Sequence, residues 1–310
     1  MHILVTGGAG FIGSHLVRRL VEQGHSVRVL DSLVSGHAHN LDSVAGAIDM
    51  RVADLQDADA VREAVVGVDY VFHLAALISV VQSVEQPLLT HAINVNGTLG
   101  LMEAARAAGV KRLVQVSSAA VYGDPAQVPT PEETPPEPLS PYGLSKHIAE
   151  EYGQLYSRLY GLECVALRFF NVYGPGQDPR SPYAAAVPRF VEALASGQQP
   201  TVFGDGQQTR DFTFVEDNVR ALWAAASAPG IGGAVFNVGR GQPVSVLELI
   251  NTLGELLGVE ARPHFAPARA GEIRHSCADV GSFAARAGFR AQVGLREGLG
   301  KTLEGWPGLL

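Results

Sequence analysis

Lysine is scarce in this chain of 310 residues: only Lys111, Lys146 and Lys301 occur, and every other basic residue is an arginine. Acids outnumber bases, 31 to 23, giving a formal net charge of -8, and no basic cluster is longer than a pair. Binding along a phosphate backbone needs clustered Lys and Arg, so no nucleic-acid partner is expected. Long apolar stretches are missing as well, and Met1 leads straight into the apolar segment His2 to Thr6 with no charged leader before it. A soluble, cytoplasmic protein without a membrane partner is expected from that pattern. Two cysteines, Cys164 and Cys277, lie far apart and outside any CxxC spacing, which reads as two reduced thiols and no metal site. Neither an internal repeat nor a low-complexity segment occurs. With lysine so rare, a well-placed one is informative.

Apolar, β-branched runs at Ile3 to Val5, Val27 to Leu30, Tyr70 to Phe72 and Leu113 to Val116 alternate with helix-patterned stretches at Gly10 to Gln23, Ala58 to Val66 and Val95 to Ala108. Strands that read as continuous apolar runs between helices belong to a parallel sheet covered on both faces. The predicted fold class is α/β, a doubly wound parallel Rossmann sheet with a smaller, loop-rich C-terminal substrate domain. A proline-rich loop, Pro125 to Pro141, precedes a helix over Tyr142 to Tyr160 and a strand over Glu163 to Arg168. Beyond Asn171, short elements broken by Gly and Pro suit a substrate-covering region. The expected division is therefore 1–170 for the cofactor and 171–310 for the substrate, with a segment near 213–238 returning to the first.

Gly7-Gly8-Ala9-Gly10-Phe11-Ile12-Gly13 follows the first strand and opens the first helix. In a chain with 35 glycines the spacing alone is weak, but at that position backbone amides and a helix N-terminus can meet a pyrophosphate. Gly7, Gly10, Phe11, Ile12 and Gly13 are thus cofactor candidates. Asp31 closes the second strand where a carboxylate bonds ribose hydroxyls and repels a 2′-phosphate, which favours NAD over NADP. Asp54 and Leu55 after the third strand, and Leu74, Ala75 and Ala76 after the fourth, sit at carboxyl ends of strands, where open α/β sheets bind ligands. His73 reads as a hydrogen-bonded structural histidine rather than a base.

Ser117 and Ser118 end the fifth strand; Tyr142 and Lys146 follow across the proline-rich loop, four residues apart and on one helical face. A free phenol, with a pKa of about 10, is a poor base at neutral pH. A neighbouring ammonium and the positive ring of oxidised NAD both favour phenolate. Ser118, Tyr142 and Lys146 are accordingly the catalytic candidates.

These residues, with Asn94-Val95-Asn96-Gly97-Thr98 and Arg168-Phe169-Phe170-Asn171-Val172-Tyr173-Gly174, resemble the extended short-chain dehydrogenases that modify nucleotide sugars, from Met1 to about Asp279. The resemblance implies that Asn94, Ser117 and Phe169, with Tyr142 and Lys146, also touch the cofactor. It further implies a 4-keto sugar, whose fate depends on the residues after the catalytic serine. Dehydratases of the family carry an Asp-Glu pair there and glucuronate decarboxylases a glutamate; here Ala119 and Ala120 stand instead. Alanine moves no proton, so oxidation and re-reduction remain, and a UDP-hexose 4-epimerase is expected.

By the same resemblance Ser79, Ser118, Asn171, Val187, Thr201, Phe203, Arg210, Arg269, Glu272 and Ser276 are implied at the UDP-sugar, with the two arginines on the phosphates. Ser276 falls where the family sets a residue against the sugar's 2-substituent, and a small side chain there leaves room for an N-acetyl group. Galactose-specific epimerases usually carry lysine where Ile78 stands, so the segment Leu77 to Ser83 is a departure that leaves cofactor activation to Lys146. Competing expectations are an epimerase of another nucleotide sugar such as UDP-glucuronate, and a non-catalytic NAD-binding regulator. The family implies a homodimer packed through the helices at Val95 to Ala108 and Tyr142 to Tyr160.

Overall fold

The computed structural model describes residues 1–178, 186–268 and 273–306. Its first half runs β1 (His2–Thr6), α1 (Phe11–Glu22), β2 (Ser26–Asp31), β3 (Ile48–Val52), α2 (Ala58–Ala64), β4 (Tyr70–His73), α3 (Val80–Glu85), α4 (Pro87–His91), α5 (Thr98–Ala107) and β5 (Arg112–Ser118). Next come α6 (Pro141–Tyr160), β6 (Glu163–Phe169), β7 (Val172–Tyr173), α7 (Ala186–Ala195), β8 (Thr201–Phe203), β9 (Thr209–Asp211) and β10 (Thr213–Phe214). The described part closes with α8 (Val215–Ser227), β11 (Val235–Val238), β12 (Pro243–Ser245), α9 (Val246–Leu257), β13 (His264–Ala266), α10 (Gly281–Ala287) and α11 (Leu295–Glu304).

Seven strands form one parallel sheet in the order β11-β6-β5-β4-β1-β2-β3. Chain order reverses between β1 and β4, and the carboxyl ends of those two strands open the crevice in which such sheets bind ligands. The central strands β1, β4 and β5 read as largely apolar runs because both faces are covered, whereas Asp49 and Arg51 break the edge strand β3. Leu16, Val17 and Leu20 of α1 and Leu222 and Ala225 of α8 pack on one face. Val61 of α2, Leu101 and Met102 of α5 and Tyr156 of α6 cover the other. A third cluster, built on Phe190, Phe214, Leu249 and Leu295, joins α7, α9 and α11 beyond the sheet's carboxyl edge.

Local signals account for the helix limits that matter to the site. Ser140 caps α6 through the Gly143 amide at 3.1 Å, Pro141 occupies the first turn where no amide is required, and Gly161 ends the helix at φ 72°. One helix differs from the sequence pattern. The stretch expected from Val95 begins with a π-helical turn, Ala92–Gly97, and the α-helix starts only at Thr98. Three bonds hold that wider turn: the Thr98 hydroxyl donates to the Asn94 carbonyl at 2.6 Å, and the Asn94 side chain is drawn inward onto both polar groups of the Leu77 peptide. π turns recur at functional sites because they re-aim one side chain.

Both cysteines are free and buried. Among the described residues no helix is long and apolar enough to cross a membrane.

Candidate active site

At the open end of β1 the chain approaches itself closely. A β-carbon at Gly13 would fall on the Gly7 carbonyl, so only glycine lets α1 begin this tightly against the turn. No side chain caps the first turn of α1, whose positive end faces the crevice. Asp31, buried at the end of β2, accepts the Ala9 amide at 2.9 Å and the Leu33 amide at 2.8 Å, which sets its carboxylate beside the glycine turn. Asp54 accepts the Gln56 amide at 2.8 Å, and Leu55 is buried against Gly97. Leu74 and Ala75 follow β4 with their amides on Thr6. The geometry therefore brings Gly7 to Gly13, Asp31, Asp54 to Leu55 and Leu74 to Ala76 to one side of the crevice, in the form of a dinucleotide cradle.

Across the crevice, β5 and α6 carry the catalytic candidates. Ser118 ends β5 with its oxygen accepting the Ala120 amide at 3.1 Å, which leaves the hydroxyl proton for a phenol or a sugar oxygen. The Lys146 ammonium donates to the Val116 carbonyl at 2.8 Å and stands 6.0 Å from the centre of the Tyr142 ring. Burial pushes the Tyr142 phenol above its ordinary value, and the adjacent Ser118 hydroxyl works against that. Burial also lowers Lys146 to about 8, with the Glu150 carboxylate opposing it. Low dielectric thus disfavours each charge alone, while phenolate beside ammonium satisfies both.

Several expected residues have other engagements. The Ser117 hydroxyl points away from Ser118, as alternate strand residues must, and donates to Glu150. Glu150 is paired with buried Arg168 at 2.7 and 2.9 Å. Burial would raise that carboxyl, but His147, Arg168 and Ser117 hold it below the usual carboxylate range. The Asn94 amide spans the Leu77 peptide at 2.8 and 2.9 Å and donates to Ser145 at 3.0 Å. Phe169 ends β6 opposite Ser118, its ring buried. Ser79 is buried and caps α3 through the Gln82 amide at 3.0 Å. His73 is buried between Thr6 and Thr98 and is lowered to about 3 by burial, then by Lys146, so it is no base.

Asn171, Val187 and Arg210 line one cavity of about 110 Å³ together with Val172, Ala186, Phe212 and Val246. Thr209 bridges His275 in parallel, with the Thr209 amide on the Arg274 carbonyl at 2.9 Å and the Ser276 amide on the Thr209 carbonyl at 3.1 Å. Alternation then turns Ser276 to the same side as Arg210. Asp211, buried beside them, accepts the amides of Arg240, Gly241 and Ala278 at 2.8, 2.9 and 3.1 Å. Thr201 and Phe203 lie on β8, away from that cavity's lining. Arg269 and Glu272 lie outside the described residues. A larger groove of about 680 Å³ runs behind Leu55 between α2 and α5 and holds none of the catalytic candidates.

The sequence pattern had not singled out Gly143, Glu150 or Asp211, and it offered Ser83 only as a small hydroxyl, beside Ser79, for a sugar carboxylate. Glu150 had a signal, since it repeats the Tyr142-x-x-x-Lys146 spacing one turn later. Gly143 had another: glycine inside a helix is costly and asks for a reason. Here a β-carbon would come within 2.5 Å of the Ala120 carbonyl, so glycine lets α6 press against the loop after Ser118.

Residues 3–239 match the model of the NAD dependent epimerase/dehydratase family. The chain is 44% identical over 308 residues to a UDP-glucose 4-epimerase of Mycolicibacterium smegmatis, covering 98% of each chain. It superposes with a TM-score of 0.93, at 39% identity and 98% coverage of both chains, on the UDP-glucose 4-epimerase of Thermotoga maritima solved with UDP-glucose. A UDP-N-acetylglucosamine 4-epimerase from Methanobrevibacter ruminantium, solved with UDP-N-acetylmuramic acid, gives a TM-score of 0.94 at 36% identity, covering 98% of this chain and 97% of that one. With the glycine turn, the Asp31 carboxylate and the Ser118, Tyr142 and Lys146 cluster all on one crevice, the chain belongs to the NAD dependent epimerase/dehydratase family.

Proposed function

We propose that the protein is a UDP-hexose 4-epimerase, interconverting UDP-glucose and UDP-galactose and accepting the N-acetylhexosamine pair. The observation that carries this reading is the Ser118, Tyr142 and Lys146 cluster, with Ala119 and Ala120 directly after Ser118 bringing neither acid nor base to a 4-ketose. The glycine turn and Asp31 would hold NAD, which would supply a reversible hydride sink for C4 and so leave no net redox change. As phenolate, Tyr142 takes the O4 proton while Ser118 hydrogen-bonds the same oxygen and Lys146 stabilises the negative charge. Tyr142 later returns the proton once the ketose has turned about its diphosphate linkage and been reduced on its other face. Asn171 and Arg210 hold that diphosphate, and Ser276 borders the 2-substituent with enough room for an acetamido group.

The rival substrate, a UDP-glucuronate, needs a cation or free hydroxyls near Leu77 to Ser83. Ser83 donates to the Val80 carbonyl at 2.6 Å and accepts the Tyr142 amide at 3.1 Å, so its hydroxyl is already committed. A regulator without turnover has no use for a Tyr-x-x-x-Lys pair. The decisive experiment incubates the purified protein, without added cofactor, with UDP-glucose, UDP-N-acetylglucosamine and UDP-glucuronate in turn and resolves the sugars by NMR. Conversion of the first two is expected, with Tyr142→Phe losing at least about 100-fold. Conversion of UDP-glucuronate alone overturns the substrate, and no conversion of any overturns the reaction.

The same reading extends to assembly as a homodimer. Leu144 and Leu159 on α6 and Leu88 on α4 are exposed at 47%, 58% and 86%, an apolar set that a second copy would cover. Light scattering on the holoprotein checks this.

A further inference from the structure

The first turn of α6 has an unusual tenant. Pro141 has no amide hydrogen, and the Gly143 amide is taken by Ser140 at 3.1 Å, so Tyr142 carries the one first-turn amide that its own helix end leaves unmet. The partner comes from another helix. Ser83 of α3, fully buried, accepts the Tyr142 amide at 3.1 Å and sends its own proton to the Val80 carbonyl at 2.6 Å. On the other side of the same residue, the Ser145 hydroxyl donates to the Tyr142 carbonyl at 2.7 Å and accepts the Asn94 amide at 3.0 Å. Asn94 also grips both polar groups of the Leu77 peptide. Both ends of the segment Leu77 to Ser83 are thereby tied to the backbone of Tyr142.

We propose that Ser83 is a positioning residue for the reaction, capping Tyr142 from α3 so that its phenol stands where Ser118 and Lys146 can act on it. The proposal rests on the reading of Tyr142 as the proton carrier. Ser83 touches neither sugar nor cofactor in this role; it acts through a backbone amide. Because its hydroxyl proton is spent on Val80, the oxygen is a pure acceptor toward Tyr142, and a side chain without an acceptor leaves a buried amide unmet. The first turn of α6 then shifts or frays, and the phenol moves relative to the Lys146 ammonium. The charged group beside the phenol is the Lys146 ammonium, 6.0 Å from the ring centre, which in turn interacts with Glu150 on α6 and His73 on β4; the Ser83 substitution alters none of these, and Glu85 on α3 is exposed.

The test compares the wild-type holoprotein with Ser83→Ala, with Ser83→Cys, which keeps volume but accepts more weakly, and with Thr90→Val. Thr90 supplies a buried hydroxyl to the Gln86 carbonyl at 3.0 Å on the neighbouring helix α4 and serves as the stability control. Steady-state rates on UDP-glucose are combined with ultraviolet titration of the Tyr142 phenolate, each trace corrected by its Tyr142→Phe counterpart. For Ser83→Ala a fall in kcat of about tenfold is expected with KM held within about twofold, since sub-ångström misplacement is felt in the chemical step. Its phenolate titration is expected to move to higher pH, with Ser83→Cys in between and Thr90→Val unmoved. An unmoved titration in both Ser83 variants overturns the proposal, even where kcat falls along with thermal stability. Titration needs no turnover, so a protein that converts no UDP-sugar sinks the epimerase reading while the role of Ser83 is still decided.

Discussion

The Lys146 ammonium donates to the carbonyl of Val116, two residues before Ser118, at 2.8 Å. That bond ties the cation to the strand that ends in Ser118. Burial lowers Lys146 to about 8, so the ammonium is present below that pH and lost above it. Turnover is expected to decline as the pH climbs past about 8. Lys146→Arg keeps its proton throughout, so its descending limb should move to higher pH even as the mispositioned guanidinium lowers the plateau. A pH–rate profile of both proteins checks it, and coincident descending limbs count against Lys146 as the titrating group.

Glu150 and Arg168 form the buried pair beneath that site, the two side chains 1% and 5% exposed. Breaking one partner strands the other charge, so Glu150→Gln is expected to cost about 3–5 kcal/mol in urea unfolding, whereas Glu150→Leu with Arg168→Met costs far less than the two singles summed. The folded carboxyl is held below its ordinary value. Its stabilisation is therefore complete at neutral pH and is lost as the pH falls through that lowered value.

How much of this was readable in advance differs by element. The central strands were legible because they lie between two covered faces and so advertise themselves as apolar runs, as Leu4, Val5, Val71 and Leu113 do, whereas the edge strand β3 carries Asp49 and Arg51 and buries none of its residues. The glycine turn, Asp31, Tyr142 and Lys146 were legible because they act from fixed offsets along one or two elements. The π turn at Ala92–Gly97 was not, since its cause is a side chain reaching 17 residues back to Leu77. For the same reason Ser83 was invisible as a cap for Tyr142, 59 residues away. Asp211 looked like one more polar residue beside Arg210 until the chain brought three amides from two later segments onto it.

That Asp211 cluster gives a separable prediction. Its carboxylate holds Ala278, and through it the segment carrying Ser276, against the strand that bears Arg210. Asp211→Asn turns an amide group toward N–H donors and should cost about 1–3 kcal/mol. The Ser118, Tyr142 and Lys146 cluster is on other elements, so KM for the proposed UDP-sugar is expected to rise severalfold with kcat nearly held. A loss confined to kcat contradicts this assignment.

Gly143 sets two forces against each other. Alanine is the better helix former by about 1 kcal/mol, so helix propensity alone makes Gly143→Ala stabilising. A β-carbon within 2.5 Å of the Ala120 carbonyl must instead lift α6 from the loop after Ser118. The second effect is expected to win, lowering kcat by up to about 100-fold. A more stable, fully active Gly143→Ala protein shows that the close approach is dispensable.

His73 permits a prediction about a single proton. The Thr98 hydroxyl gives its hydrogen to the Asn94 carbonyl at 2.6 Å, so the Thr98 oxygen, 2.8 Å from Nε2 of His73, must accept. Nε2 therefore carries the ring proton. Nδ1 is left as the acceptor for the Thr6 hydroxyl at 2.7 Å, and the Thr6 oxygen in turn accepts the Ala75 amide at 3.3 Å. A second ring proton would set a donor against the Thr6 donor and place a cation near Lys146 in a buried site, in keeping with a pKa lowered from 6.5 to about 3. Nitrogen-15 NMR is expected to find the Nε2–H tautomer with no inflection between pH 5 and 8. The unfolded chain takes up this proton near 6.5 and the folded chain only near 3, so stability is full above 6.5 and falls as the pH drops toward 3. Titration of this ring near 6.5 in the folded protein breaks the chain of bonds from Ala75 to Asn94, and with it the account of how the loop after β4 is joined to the helix that opens α5.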